Sequence, residues 1–255
     1  MKIEKKKLLE FISRYNLDGN VESVALSYSK KNKLSINYKA EDKSYLFTID
    51  LLNVDLGSED FKFGVHTTSN LKSLINSLSS AIEIEIDFEE KNDIKHQLAL
   101  SHNGMLIRYN LADLSIVNQG GSLTKDIDYE LNLDLGFIDN FLEAYKALKS
   151  QTFMIQTDVL TKKVNIVLSE DSDPTTNFKG NQAIINVAHK GNLDVDITGL
   201  YYDTALFKSI LSANKANSYI TSSTMKVSSK GLMELSFSNN DINSVYYLVA
   251  KNIGS

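Results

Sequence analysis

Leu71-Lys72-Ser73-Leu74-Ile75 and Phe207-Lys208-Ser209-Ile210-Leu211 are two versions of one pentapeptide: apolar, basic, small, apolar, apolar. A second pair stands at nearly the same offset, Leu8-Leu9-Glu10-Phe11 and Phe141-Leu142-Glu143-Ala144. Both separations are about 135 residues in a chain of 255. Each member sits in a stripe of helical spacing. Leu8, Phe11, Ile12 and Tyr15 make the first, and Leu71, Leu74, Ile75 and Leu78 the second, with Thr68 or Ser69 placed to cap its start. Phe137, Ile138, Phe141, Leu142, Tyr145 and Leu148 make the third, and Leu206, Phe207, Ile210 and Leu211 the fourth. All four are amphipathic, which predicts helices lying on a sheet.

Around them the chain reads as strands. Ile82-Glu83-Ile84-Glu85-Ile86-Asp87-Phe88 alternates strictly, with apolar residues on one face and acids on the other. Strands are also predicted at 24–28, 33–38, 45–49, 97–101, 106–110, 163–168, 183–187, 193–197, 225–228, 233–238 and 245–250, with turns such as Asn103-Gly104 and Lys230-Gly231 between them. The strand order repeats as well. Ser29-Lys30-Lys31-Asn32-Lys33 parallels Thr161-Lys162-Lys163, and His102-Asn103-Gly104-Met105-Leu106 parallels Ser229-Lys230-Gly231-Leu232-Met233. The simplest account is a duplication: an α+β chain of two similar domains, each β-rich with two helices on one face. The expected boundaries are 1–118 and 128–255, joined by a linker at 119–127 around Gly120-Gly121-Ser122.

Composition narrows the chemistry. With no Cys there is no thiol nucleophile and no disulfide scaffold, and the start Met1-Lys2-Ile3-Glu4-Lys5-Lys6-Lys7 leads into no long apolar stretch, so neither a signal peptide nor a membrane span is expected. Gly120-Gly121-Ser122-Leu123-Thr124-Lys125 lacks the Gly-Lys-Ser/Thr ending of a phosphate loop. His66, His96, His102 and His189 show no metal-ligand spacing and read as polar strand-end residues; Glu83, Glu85 and Asp87 read as one solvated strand face. No catalytic residue, metal or cofactor is expected.

Charge is more informative. The chain carries 27 Lys+Arg against 32 Asp+Glu, a formal charge of −5. Yet the helices are net basic. Their polar faces hold Lys5, Lys6, Lys7, Arg14, Lys72, Lys146, Lys149, Lys208 and Lys215 against Glu10, Asp139, Glu143 and Asp203. Helix by helix, this is an ordinary solvated face. With the duplication, it predicts a positive helical layer and an acidic strand layer.

Duplicated domains, two helices in each, basic helices and acidic sheets: the pattern resembles a DNA sliding clamp, the polymerase processivity factor. The tail is the most specific match. Lys230-Gly231-Leu232-Met233-Glu234-Leu235-Ser236-Phe237 followed by Ser244-Val245-Tyr246-Tyr247-Leu248-Val249-Ala250-Lys251 is similar to the final strands of eukaryotic and archaeal clamps, which commonly end Tyr-Tyr-Leu-Ala-Pro-Lys. Here Val249-Ala250 stands in place of Ala-Pro, so the closing turn is expected to differ. The short start looks more like clamps of tailed phages.

The resemblance implies a homotrimeric ring around double-stranded DNA, gripped without base contacts by the nine helical cations named above. It implies a DNA polymerase tethered at a pocket formed by Leu123, Ile127, Tyr247, Leu248, Val249 and Ala250, and an ATP-dependent clamp loader as a further partner. Tyr246, on the opposite strand face, is expected in the core. Ring closure would pair edge strands near Ala112–Val117 and Ala183–Val187. The setting implied is the cytoplasm of an infected bacterial cell. The contrasting reading is an oligomeric viral structural protein of the tail or capsid, which predicts neither the cation bias nor the Tyr-Tyr-Leu tail. A β-barrel that binds oligonucleotides would need aromatics interleaved with Lys and Arg on its strands, a pattern not seen here.

Overall fold

The computed structural model describes residues 1–92, 94–118, 120–121, 126–171, 180–215 and 221–251. Two compact units emerge. Unit 1 comprises Met1–Lys39, Leu46–Gly121 and Ser238–Ser244; unit 2 comprises Ala40–Tyr45, Ser122–Phe237 and Val245–Ser255.

The elements of unit 1 run β1 (Lys2–Glu4), α1 (Lys5–Asn16), β2 (Val24–Ser29), β3 (Lys33–Lys39), β4 (Tyr45–Leu52), β5 (Phe61–Val65), α2 (Thr68–Ser77), β6 (Glu83–Lys91), β7 (Ile94–His102) and β8 (Met105–Asn110). They form two antiparallel layers, ordered β1-β6-β7-β8 and β5-β2-β3-β4. The alternation read around Ile84 is realised in β6. Ile84 and Ile86 are buried while Glu83, Glu85 and Asp87 are exposed. The apolar stripes of both helices meet both layers, leaving only a small void of about 30 Å³ among Leu8, Phe11, Leu26, Phe63, Leu71 and Ile86. The start of α2 is capped differently from the expectation. Neither Thr68 nor Ser69 caps it; the Glu22 carboxylate accepts the Ser69 N–H at 2.9 Å, and the Thr68 hydroxyl donates to the Glu22 carbonyl at 2.9 Å. A carboxylate at a helix start suits the dipole better than a hydroxyl.

Unit 2 continues with β9 (Tyr129–Asn132), α3 (Leu135–Leu148), β10 (Thr152–Asp158), β11 (Lys163–Ser169), β12 (Gln182–Val187), β13 (His189–Lys190), β14 (Leu200–Asp203), α4 (Thr204–Lys215), β15 (Ser222–Val227), β16 (Leu232–Ser238) and β17 (Ile242–Val249). One layer is ordered β12-β11-β10-β14, the other β13-β9-β15-β16-β17. Asp134 caps α3, accepting the Phe137 N–H at 2.7 Å, and Asp203 does the same for α4 by accepting the Leu206 N–H at 2.8 Å. Phe141, Phe153 and Phe207 knit helices to sheet. Their ring centroids lie 4.7 to 5.4 Å apart. Truncating Phe207 to Ala would cost roughly 3–5 kcal/mol.

Two strand expectations need correction. Residues 193–197 form no strand. Leu193 and Ile197 are buried as their parity suggested, but hydroxyl groups take the backbone that a ladder would have used. Tyr129 Oη pairs with both the N–H and the carbonyl of Val195, and Thr157 Oγ1 accepts the Ile197 N–H at 2.5 Å. Residues 112–117 are likewise not a strand. β8 ends at Asn110, Ala112 makes a single bridge to Gly64, and the Asp113 carboxylate then accepts the Ser115 N–H at 2.8 Å, closing a turn.

Candidate nucleic-acid interface and partner surface

In unit 1 most of the candidate helical cations already have occupations. Lys5 Nζ donates to the carbonyls of Asn76 at 3.3 Å and Leu78 at 2.7 Å, closing the C-terminal end of α2. Lys7 pairs with Asp241 at 2.6 Å. Arg14 overturns its assignment as a phosphate contact. Its side chain is 1% exposed, and its guanidinium donates to Glu10 at 2.7 Å and to the Ser244 hydroxyl at 3.0 Å. Glu10 in turn accepts from Asn239 at 3.0 Å. A buried guanidinium held this way is part of the fold. Lys6 is exposed and Lys72 half-buried.

The helices of unit 2 are arranged differently. Lys146, Lys149 and Lys208 converge with Leu142, Tyr145 and Ser212 on an open groove of about 550 Å³ between α3 and α4. Lys149 is placed there by its backbone. It ends α3 in the left-handed region (φ 50°), with its N–H donating to the Tyr145 carbonyl at 2.8 Å. Lys146 approaches Glu143 only to 3.9 Å with both side chains exposed, a pairing worth little in water. Lys215 is the exception, paired with Asp139 across the two helices. The groove therefore presents long flexible ammonium groups over an apolar floor, suited to a polyanion read without sequence preference.

The tail divides sharply. Tyr246, Tyr247 and Leu248 are all buried, so the alternation expected of a half-covered edge fails there. Leu248 is 1% exposed and belongs to the core of unit 2, which removes it as a surface anchor for a partner; Tyr247, also buried, loses that role too. Val249 is 44% exposed and Ala250 half-buried. They are held by backbone: the Val249 N–H donates to the Ser44 carbonyl at 2.9 Å, and the Ala250 N–H to the Gly231 carbonyl at 2.7 Å. Gly231 sits at φ +88°, and a Cβ there would lie 3.1 Å from that of Ala250, so glycine is what permits the approach. Lys251 pairs with Asp203 at 2.9 Å.

Of the linker residues, Ile127 is half-buried, and Leu123 lies outside the described residues. Asp126 accepts from Lys230, whose hydrogen bond and, after it, charge hold that carboxyl below its usual range. Within unit 1, Gly120 presses on β3, where a Cβ would fall 1.9 Å from the Asn37 side chain; no larger residue fits without moving the strand.

No protein-family model matches the chain, and no curated protein matches it by sequence. Solved structures do match, over essentially the whole length. A PCNA structure from Entamoeba histolytica superposes with a TM-score of 0.75 at 11% identity, covering 98% of each chain. The A. fulgidus PCNA bound to the C-terminal region of FEN-1 gives 0.71 at 13% identity, over 100% of this chain and 98% of that one. A PCNA2–PCNA3 complex from Sulfolobus tokodaii gives 0.72 at 10%, again covering 98% of each. The class defined is the fold of the PCNA-type sliding clamp, and both units take part in the match.

Proposed function

We propose that this chain is a sliding clamp: three copies close into a ring around duplex DNA and tether a DNA polymerase and other DNA-processing enzymes. The observation that carries the reading is the full-length correspondence to PCNA structures joined to a basic groove on the helical layer of an otherwise acidic chain. Three copies carry a formal charge of −15, which disfavours tight adhesion to DNA, while lysines on the helical layer give local, non-specific attraction. Retention then comes from encirclement, and mobility from the absence of base contacts.

On this reading the chain is a scaffold and not a catalyst, and an ATP-dependent loader opens and places the ring. Val249, Ala250 and Ile127 form the exposed part of the partner surface, where a short peptide of the client docks by apolar anchors. One solved relative holds the C-terminal region of FEN-1, which supports peptide capture as the mode of binding. The working place that goes with this reading is the cytoplasm of an infected bacterium. A structural viral protein has no use for a lysine-lined helical groove and is the weaker reading.

Light scattering tests the assembly directly. Three copies of the 28.5 kDa chain give a particle of about 86 kDa. A particle that stays at 28.5 kDa at high concentration and low salt would contradict the ring.

A further inference from the structure

The α3–α4 groove has a floor that phosphate contacts do not need. Ammonium groups attract phosphates in water, and an apolar surface beneath them adds nothing to that attraction. Leu142, Tyr145, Lys146 and Lys149 follow one another at i, i+3, i+4 and i+7, so one stripe along α3 and its C-cap carries two apolar residues and then two cations. Lys208 and Ser212, one turn apart on α4, form the facing wall. Tyr145 is half-buried, and among the described residues its ring stacks on no other aromatic side chain and its hydroxyl makes no hydrogen bond. Resting on the clamp reading above, we infer that this groove is a site for single-stranded DNA: one base lies with its face on the Tyr145 ring while Lys146, Lys149 and Lys208 hold the phosphates beside it.

Three features favour a single strand over a duplex here. An aromatic ring beside cations holds single strands without reading sequence, because every base has a π-face. In a duplex those faces are closed by the neighbouring pairs, so the floor would go unused. The groove also has depth. Its volume of about 550 Å³ accommodates a base with its sugar, whereas phosphates on the surface of a duplex need no cleft. Third, three lysines face a single rim carboxylate, Glu143, which leaves the groove net positive around its apolar floor. The arrangement is confined to unit 2. The duplication that aligns Leu9-Glu10 with Leu142-Glu143 sets Ile12 against Tyr145 and Asn16 against Lys149. Ile12 is 2% exposed and Asn16 3%, so unit 1 offers neither the ring nor the cation. Each chain then carries one such site.

Short linear DNA is not retained by encirclement, so its binding reports the surface alone. The probes are a labelled oligothymidylate of about ten nucleotides and its duplex with oligoadenylate, followed by fluorescence anisotropy at low salt. Tyr145→Ala should weaken the single-strand complex about tenfold, the scale of one lost stacking contact. It should leave the duplex complex and both salt slopes as they were, since no cation is removed. Tyr145→Phe keeps the ring and should bind the single strand as the unaltered chain does. The chain has no tryptophan, so Tyr145→Trp places a lone indole in the groove. Its emission should be quenched by the oligothymidylate and not by the duplex. An equal loss on both forms in Tyr145→Ala, no loss on the single strand, or an indole that the single strand leaves unquenched would each overturn the inference. The clamp reading survives any of these so long as Lys146→Ala/Lys149→Ala/Lys208→Ala lowers the salt slope on duplex DNA. If that triple variant binds both forms unchanged, the DNA groove falls, and this inference with it.

Discussion

Lys5 and Lys149 are both lysines at the ends of helices, one in each unit, and they serve different ends. Lys5 caps the carbonyls of Asn76 and Leu78 and so belongs to the fold of unit 1. Lys149, with Lys146 and Lys208, stands around an open groove in unit 2. Arg14 carries the contrast furthest, being a cation withdrawn from the surface altogether. Duplication of a backbone pattern has therefore not duplicated its electrostatics. The first helix pair turns Lys5, Lys7 and Arg14 to local hydrogen bonds and ion pairs, whereas in the second Lys146, Lys149 and Lys208 line one groove and Lys215 pairs with Asp139. The difference predicts that DNA phosphates favour the α3–α4 groove.

The largest effect separating the two roles is Arg14→Ala. It strands the Glu10 carboxylate, 11% exposed, in a buried site, and loss of one partner from such a pair costs about 3–5 kcal/mol. A fall of that size in the unfolding free energy from urea denaturation is expected; an unchanged value would return Arg14 to the surface. Leu248→Ala comes next, at about 2–5 kcal/mol for a core leucine, whereas Val249→Asp one residue along should leave the unfolding free energy within about 0.5 kcal/mol. Val249→Asp should instead weaken binding of a client peptide about tenfold, or 1.4 kcal/mol, by titration calorimetry. Equal stability losses at 248 and 249 would refute the division of the tail.

On one point the units should behave alike. Each buries a tyrosine, Tyr15 in unit 1 and Tyr202 in unit 2, and burial raises both phenols above their ordinary 10.0. The folded state keeps these protons where the unfolded chain releases them, so this contribution is intact below about pH 10 and is lost as pH rises beyond it. Each phenol should cost about 1.4 kcal/mol per further pH unit. Tyr15→Phe should flatten the alkaline fall; an unaltered slope would show that Tyr15 is not the cause. The smallest effect on stability belongs to Lys146→Ala/Lys149→Ala/Lys208→Ala, under about 0.5 kcal/mol at each site. Its effect should appear in DNA binding, where the salt slope should shrink by up to about 2.7, at 0.9 per lost phosphate contact. Replacing Lys5 and Lys7 with Ala should shrink it far less, and equal slopes for the two sets would dissolve the contrast between units.

Much of this was legible in the sequence because it rests on local periodicity. The Leu71-Leu74-Ile75 stripe becomes α2, and the alternation around Ile84 becomes β6, since both depend on neighbours three, four or two residues away. What escaped was decided by distant chain. Arg14 borders the apolar stripe, and its guanidinium reaches Ser244, 230 residues away in its own unit. Glu10 at i−4 was the available signal for an ion pair. Tyr247 sits at outward parity, with Asn243 and Val249, on a strand covered on both faces there, which no alternation reports, while Leu248 shares the buried parity of Tyr246. Around 112–117, the Asp113 side chain closes a turn where the family resemblance implied an edge strand, and the Asp-x-Ser spacing carried that information. In the same way Tyr129 and Thr157, far from 193–197 in sequence, took over the backbone of that segment.

Encirclement itself is tested most directly by topology. The chain is placed on nicked circular DNA with its loader and ATP, the complex is isolated by gel filtration in salt high enough to suppress phosphate contacts, and the DNA is then cut once. A ring that holds DNA by closure stays on the circle and leaves the linear product within the time of sliding to an end. Equal retention on both forms, or equal loss from both, would contradict it.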